Sequence, residues 1–233
     1  LADGMGGHSG GAMAAEQVVM KARDNFEAYA PAVETPEDLL RSVVEEAHVV
    51  IKLTRFTTEQ DPHSTACVLL MQSGRVDWAH CGDSRIYHFR HDKRVAISQD
   101  HSLVGELIRQ GRLDEEGAKT HPQRNLLLHC LGAQKEPMID YGGATDLADG
   151  DSFLICSDGL WAYFSDEEIG GVLSVFSARE AAETLIKRAR DRGRPTGDNV
   201  SLILIKLIDV EAREKAERER LDSARRKLGS MKD

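Results

Sequence analysis

Phe153-Leu154-Ile155-Cys156-Ser157-Asp158-Gly159-Leu160-Trp161 is the stretch around which the chain is organised. Its apolar opening reads as a buried strand. An acid, Asp158, stands where that strand ends, and Gly159 follows it. A carboxylate in such a place is costly unless charge or hydrogen bonds meet it. Glycine permits a sharp turn or a close backbone approach. Two distant places repeat the theme. Leu1-Ala2-Asp3-Gly4 begins the chain, and Gly197-Asp198-Asn199 precedes the apolar Val200-Ser201-Leu202-Ile203-Leu204-Ile205. A single Asp-Gly is most simply a turn. Three acids at the edges of apolar segments favour one cation site over three separate turns.

The remaining composition narrows the function classes. The chain has 233 residues and a formal net charge of -9. From Asp209 to Asp233 there are seven acids and eight bases, so the acidity belongs to the body before it. That argues against a general nucleic-acid binder. No apolar run has the length of a membrane span, and no signal peptide is evident. No Pro/Gly/Ser-rich linker divides the chain, which predicts one domain. Cys67, Cys81, Cys130 and Cys156 show no CxxC pairing and read as reduced, buried thiols of a cytoplasmic protein. The chain opens on Leu1, inside a motif, as expected of part of a longer protein.

Along the chain, Met5 to Gly11 reads as a flexible loop. Ala12 to Ala30 reads as a helix, with Ala14, Val18, Ala22 and Phe26 on one face. Thr35-Pro36-Glu37-Asp38 is a helix start, and Leu39, Val43, Ala47, Val50 and Leu53 mark the expected core face. Thr65–Met71 and Val76–His80 form a hairpin around Gln72-Ser73-Gly74-Arg75. Arg85–Phe89 and Arg94–Ile97 form another, and Cys81-Gly82-Asp83-Ser84 joins the two. The polar stretch from His101 to Pro137 carries helix starts at Leu103 and Asp114. Met138–Gly142 is a further strand. Helices begin near Ser165 and Ala178, and Asn199–Leu207 is the last strand. Glu211 to Leu228 is a charged helix or tail. Helices and strands in blocks predict an α+β fold with mostly antiparallel sheets.

Six motifs in order now matter: Asp3-Gly4-Met5-Gly6-Gly7-His8, Gly82-Asp83-Ser84-Arg85, Asp100-His101-Ser102-Leu103, His121-Pro122-Gln123-Arg124-Asn125, Ser157-Asp158-Gly159-Leu160-Trp161 and Gly197-Asp198-Asn199-Val200-Ser201. Together they resemble the metal-dependent serine/threonine protein phosphatases of the protein phosphatase 2C class, in their bacterial form. The resemblance spans Ala2 to about Leu207. It implies a four-layer α-β-β-α sandwich of two antiparallel sheets flanked by helices, with the first strands missing from this chain. It implies a centre of two Mn2+ or Mg2+ ions, with a third, weaker ion. Asp3 would bridge the pair and Gly4 would add its carbonyl. Asp158 and Asp198 would hold the second ion, and Asp83 the weaker one, shared with Asp158. Residues His101–Pro137 would form a flap beside the site.

The implied activity is hydrolysis of phosphoserine and phosphothreonine monoesters on proteins by metal-activated water. That opposes a serine/threonine kinase pathway, with phosphorylated proteins as partners, no nucleic acid or membrane partner, and a monomeric chain. Hard oxygen ligands suit Mn2+ and Mg2+, and water activation needs no nucleophilic Cys or Ser. Cys156 has no partner base in its motif and reads as structural. Two departures stand against the resemblance. Animal relatives place a His, the proposed general acid, where this chain has Met5; His8 is a weak substitute. The family's first strands carry an Asp ligand and a phosphate-binding Arg, and nothing before Asp3 supplies them. The rival readings are a catalytically impaired sensing or partner-binding domain of the same fold, and a phosphatase of small phosphoesters.

Overall fold

The computed structural model of the chain describes residues 1–5, 8–58, 60–195 and 197–208. Strand β1 (Gly4–Met5) leads to helices α1 (His8–Ala28) and α2 (Pro36–Thr58). Strands β2 (His63–Ser64), β3 (Ala66–Gln72), β4 (Arg75–Cys81), β5 (Arg85–Arg90) and β6 (Lys93–Ile97) follow. Short helices α3 (Leu103–Arg109) and α4 (Glu115–Thr120) come next. Then come β7 (Asp140–Ala144), β8 (Asp151–Cys156), α5 (Asp158–Trp161), α6 (Asp166–Val175), α7 (Ala178–Gly193) and β9 (Leu202–Lys206).

Local chemistry sets the helix starts. Thr35 Oγ1 accepts from the Asp38 N–H at 3.1 Å, and Asp38 Oδ2 accepts from the Thr35 N–H at 3.0 Å. Ser165 with Glu168 and Ser177 with Glu180 form the same reciprocal box at α6 and α7. Ser102 and Asp114 cap α3 and α4.

Among the described residues two main antiparallel sheets result, in the orders β3-β4-β7 and β6-β5-β8-β9, beside the two-stranded pair β1-β2. Every residue of β8 is buried, as a strand covered on both faces requires. Cys67, Ile86 and Ile155 pack between the sheets, with Leu1, Leu69 and Trp78 against them. Helices α1 and α2 close the outer face of the smaller sheet through Ala14, Val18, Leu40, Val43, Val44, Ala47 and Ile51. Helices α5, α6 and α7 close the larger sheet through Leu160, Ile169, Leu173 and Leu185 over Tyr87, Phe89 and Leu154. The order is α-β-β-α. Leu1 and Asp3 run antiparallel beside β3: the Cys67 N–H donates to Leu1 O at 2.9 Å, and the Thr65 N–H to Asp3 O at 2.9 Å.

Several local readings are corrected. The stretch expected as a loop to Gly11 is already helical from His8, and Gly4–Met5 pairs with β2. Gly4 makes this possible, since a Cβ there would meet Gly11 O at 1.8 Å. Phe26 and Leu53 are exposed, not core. On α2 the buried stripe follows the 3.6-residue period through Leu40, Val44, Ala47 and Ile51, which turns Leu53 outward. The last strand starts at Leu202 because Asn199 O and Ser201 bond to Ser157 instead. Asp158 and Gly159 open the short helix α5. The charged segment 211–228 lies outside the described residues.

Leu154 is fully buried in β8, opposite Tyr87 on one side and Leu204 on the other. Leu154→Ala is expected to cost about 2–5 kcal/mol of stability, through lost transfer energy and a cavity. Urea unfolding monitored by circular dichroism measures it, and a cost below about 1 kcal/mol would contradict this packing.

Candidate metal centre

The strand ends bring the acids to one end of the sandwich. Asp3 is held by its backbone: its N–H donates to Thr65 Oγ1 at 2.9 Å, and its carbonyl accepts from the Thr65 N–H. Asp158 opens α5 directly after β8. The segment bearing Asp198 is stitched to it. Ser157 N–H donates to Ser201 O at 3.1 Å, and Ser157 Oγ to Asn199 O at 3.3 Å. A Cβ on Gly159 would lie 2.0 Å from Asn199 O, so only glycine allows this contact.

Asp83 sits where the chain crosses from β4 to β5. Its turn is anchored at several atoms. The Trp161 Nε1–H donates to Asp83 O at 2.8 Å. Ser84 O accepts from His80 Nε2 at 2.7 Å and from the Cys67 thiol at 3.3 Å. The Ser84 and Thr65 hydroxyls bond at 2.8 Å. Arg85 forms a two-pronged bond to Asp100 at 2.9 and 2.8 Å and stacks on the Trp161 ring at 3.6 Å. Tertiary contacts alone reveal these roles of Asp100, Arg85 and Trp161. Their motifs drew attention in the sequence, but no spacing rule pairs residue 85 with residue 161.

Electrostatics show that the acids share a neighbourhood. Burial pushes the Asp3 carboxyl up to about 6, with Asp158 and Asp198 adding repulsion. Burial pushes Asp83 up to about 7, helped by Asp158, Asp100 and Asp3. Asp158 is raised by burial and then by Asp198. Among the described residues no lysine or arginine pairs with Asp3, Asp83, Asp158 or Asp198. Uncompensated carboxylates of this kind, half-buried at Asp3, Asp83 and Asp158 and exposed at Asp198, fit divalent cations with hard oxygen preferences. They are not gathered as a single-ion shell would be: the described groups whose ligand atoms all fall within 4.8 Å are His80, His101 and Asp140. A pair of ions about 3.5–4 Å apart spreads its ligands more widely. Cys156 is fully buried, and burial raises its thiol, so it offers no nucleophile. Met5 is half-buried and has no ionisable group. The His8 side chain lies outside the described residues.

Acids from four distant segments thus meet at one end of a layered sandwich, an arrangement that suits a divalent-cation centre. The family model for protein phosphatase 2C matches residues 1–196, and the chain belongs to that family. It is 33% identical over 221 residues to the protein phosphatase PhpP of Streptococcus pneumoniae, covering 91% of this chain and 86% of the relative. It is 32% identical over 217 residues to the serine/threonine protein phosphatase PstP of Mycobacterium tuberculosis, covering 91% of this chain but 40% of that relative's length. The Streptococcus agalactiae serine/threonine phosphatase structure superposes with a TM-score of 0.80 at 29% identity, over 89% of this chain and 86% of that one. The PstP catalytic domain in complex with two manganese ions superposes with a TM-score of 0.74 at 29% identity, over 89% and 86% of the two chains.

The raised Asp83 carboxyl has a consequence for the metal-free chain. Its folded pKa lies above the ordinary 3.8, at about 7, so the folded state holds the extra proton between those values. Stability contributed by this group therefore falls as pH rises through that window. Asp83→Asn in EDTA is expected to stabilise the chain at pH 8, with the gain fading as pH drops from about 7 towards 4. Urea unfolding of both chains across that range tests it. A gain independent of pH would contradict the shared burial of these acids.

Proposed function

We propose that residues 1–208 form the catalytic domain of a metal-dependent protein phosphatase that hydrolyses phosphoserine and phosphothreonine monoesters on proteins. The supporting observation is the uncompensated acid group: Asp3, Asp158 and Asp198 repel one another at one end of the sandwich, and among the described residues no lysine or arginine pairs with them. In this reading Asp3 and the Gly4 carbonyl, with Asp158 and Asp198, would hold the pair of cations, and Asp83 with Asp158 would hold a weaker third. Bound Mn2+ or Mg2+ would supply charge neutralisation and a water of lowered pKa for in-line attack on phosphorus.

The chain's own residues fix the frame for that chemistry. The Ser157–Asn199–Ser201 bonds hold Asp158 and Asp198 in register. Arg85 is committed to Asp100 and Trp161, so its work is positioning rather than grasping a phosphate. The stretch from His101 to Pro137, with α3 and α4, is the flap that sets which phosphopeptides reach the acids. The proposed setting is a cytoplasmic pathway that opposes a serine/threonine kinase, with the chain acting as a monomer. No helix of the described residues is long and apolar enough to cross a membrane.

Asp158→Asn keeps the shape of the side chain and removes its charge. It is expected to lower Mn2+-dependent hydrolysis of a phosphothreonine peptide by about 10²–10³-fold, the scale of losing one electrostatic stabiliser, with the melting temperature retained. The unaltered rate from a folded Asp158→Asn chain would overturn the assignment.

A further inference from the structure

Strands β4 and β7 place His80 directly opposite Asp140. Side chains of such a pair stand on one face of a sheet. For His80 that is also the face of Trp78, which packs between the two sheets. His101 reaches the same place from the far side of β6. Its ring centroid lies 4.9 Å from that of His80, and its Nε2 lies 3.1 Å from Asp140 Oδ2. One ligand atom from each of the three lies within 4.8 Å of the other two. His80 and His101 are buried, while Asp140 is half-exposed.

His80 carries the second observation. Its Nε2–H donates to Ser84 O at 2.7 Å, which leaves the lone pair on Nδ1. Nδ1 is buried and has no hydrogen-bond partner among the described residues. Such an orphan is rare in a folded interior and calls for an explanation. Burial, with the His101 ring adding to it, lowers His80 to about 4, so the ring is neutral near pH 7. Neutral imidazole is the form that ligates metals.

We propose that His80, His101 and Asp140 form a separate cation site for a borderline transition ion of the Zn2+ class, distinct from the carboxylate group. Two imidazoles and one carboxylate suit that class, whereas Mg2+ and Mn2+ favour oxygen ligands. The 3.1 Å between His101 Nε2 and Asp140 Oδ2 already matches the edge of a Zn2+ tetrahedron, about 3.3 Å for Zn–N bonds of about 2.0–2.1 Å. His80 closes the remaining gap. Its outward bond to Ser84 O is the kind a metal-bound His normally makes to fix its tautomer. Three protein ligands leave a fourth position for water, and the half-exposed Asp140 gives an entry route.

The proton on His101 must move for this to happen. In the metal-free chain His101 Nδ1 accepts from the Gly82 N–H at 3.3 Å, so Nε2 carries the proton that faces Asp140. On binding, the Nε2 lone pair goes to the ion and the ring proton passes to Nδ1, at the expense of the long bond from Gly82. Loading therefore slackens one of the bonds that hold the turn before Asp83. His129 stays outside the ligand set, because the group whose ligand atoms fall within 4.8 Å of one another is His80, His101 and Asp140.

Co2+ tests the site directly, since four-coordinate, imidazole-bound Co2+ absorbs visible light far more strongly than carboxylate-bound Co2+. The intact chain, held in excess Mg2+ to occupy the carboxylates, is titrated with Co2+ alone. One equivalent is expected to develop the strong bands, and added Zn2+ to bleach them. Asp140→Asn, at a half-exposed position, is expected to weaken Co2+ binding by about tenfold or more. His80→Gln is expected to abolish the bands, and Asp158→Asn to leave them intact. Circular dichroism establishes that each variant is folded. Absence of strong bands in the natural chain would overturn the proposal, as would bands unchanged in both Asp140→Asn and His80→Gln. Because Asp158→Asn spares this signal while sharply lowering hydrolysis, failure of the site and failure of the phosphatase reading are told apart.

Discussion

The repulsion among Asp3, Asp158 and Asp198 is the constraint on which the rest of the structure depends. Asp3 and Asp158 sit part-buried, with Asp198 exposed beside them, at one end of a sandwich, and burial and mutual repulsion raise the first two. Such a group costs folding energy unless cations meet it. The fold accepts that cost because β8 and its neighbours anchor the acids from below. Leu154 and Phe153 are fully buried, and β8 is paired on both edges. The acids then emerge where backbone bonds, rather than flexible loops, set their direction.

A second tier of contacts turns proximity into rigidity. Trp161 belongs to the helix that Asp158 opens, yet its indole holds the carbonyl of Asp83. Arg85 follows that same turn, stacks on Trp161 and grips Asp100. Asp158 and Asp83 are thereby joined through one indole ring and one guanidinium. The pieces come from three strand ends, so the loss of any one loosens the others. The histidines at 80 and 101 bond to the same turn from the opposite side.

Much of this was legible in the sequence because it was local. Thr35, Asp114 and Ser165 announced their helices by capping chemistry that acts over three residues. The apolar run before Asp158 announced the central strand, and the ordered motifs announced the family. What escaped depended on contacts between distant residues. The helix start at His8 depends on Gly4 lying against Gly11. The pairing of Arg85 with Asp100 and Trp161, and of His80 with Asp140, depends on strand register that no local pattern encodes.

The central claim is that these scattered acids form one centre for a pair of divalent ions. The most direct measurement is anomalous diffraction at the manganese edge from crystals grown with Mn2+. The account predicts two strong peaks among Asp3, Asp158 and Asp198. Their absence there, with Mn2+ found elsewhere or nowhere, would contradict it.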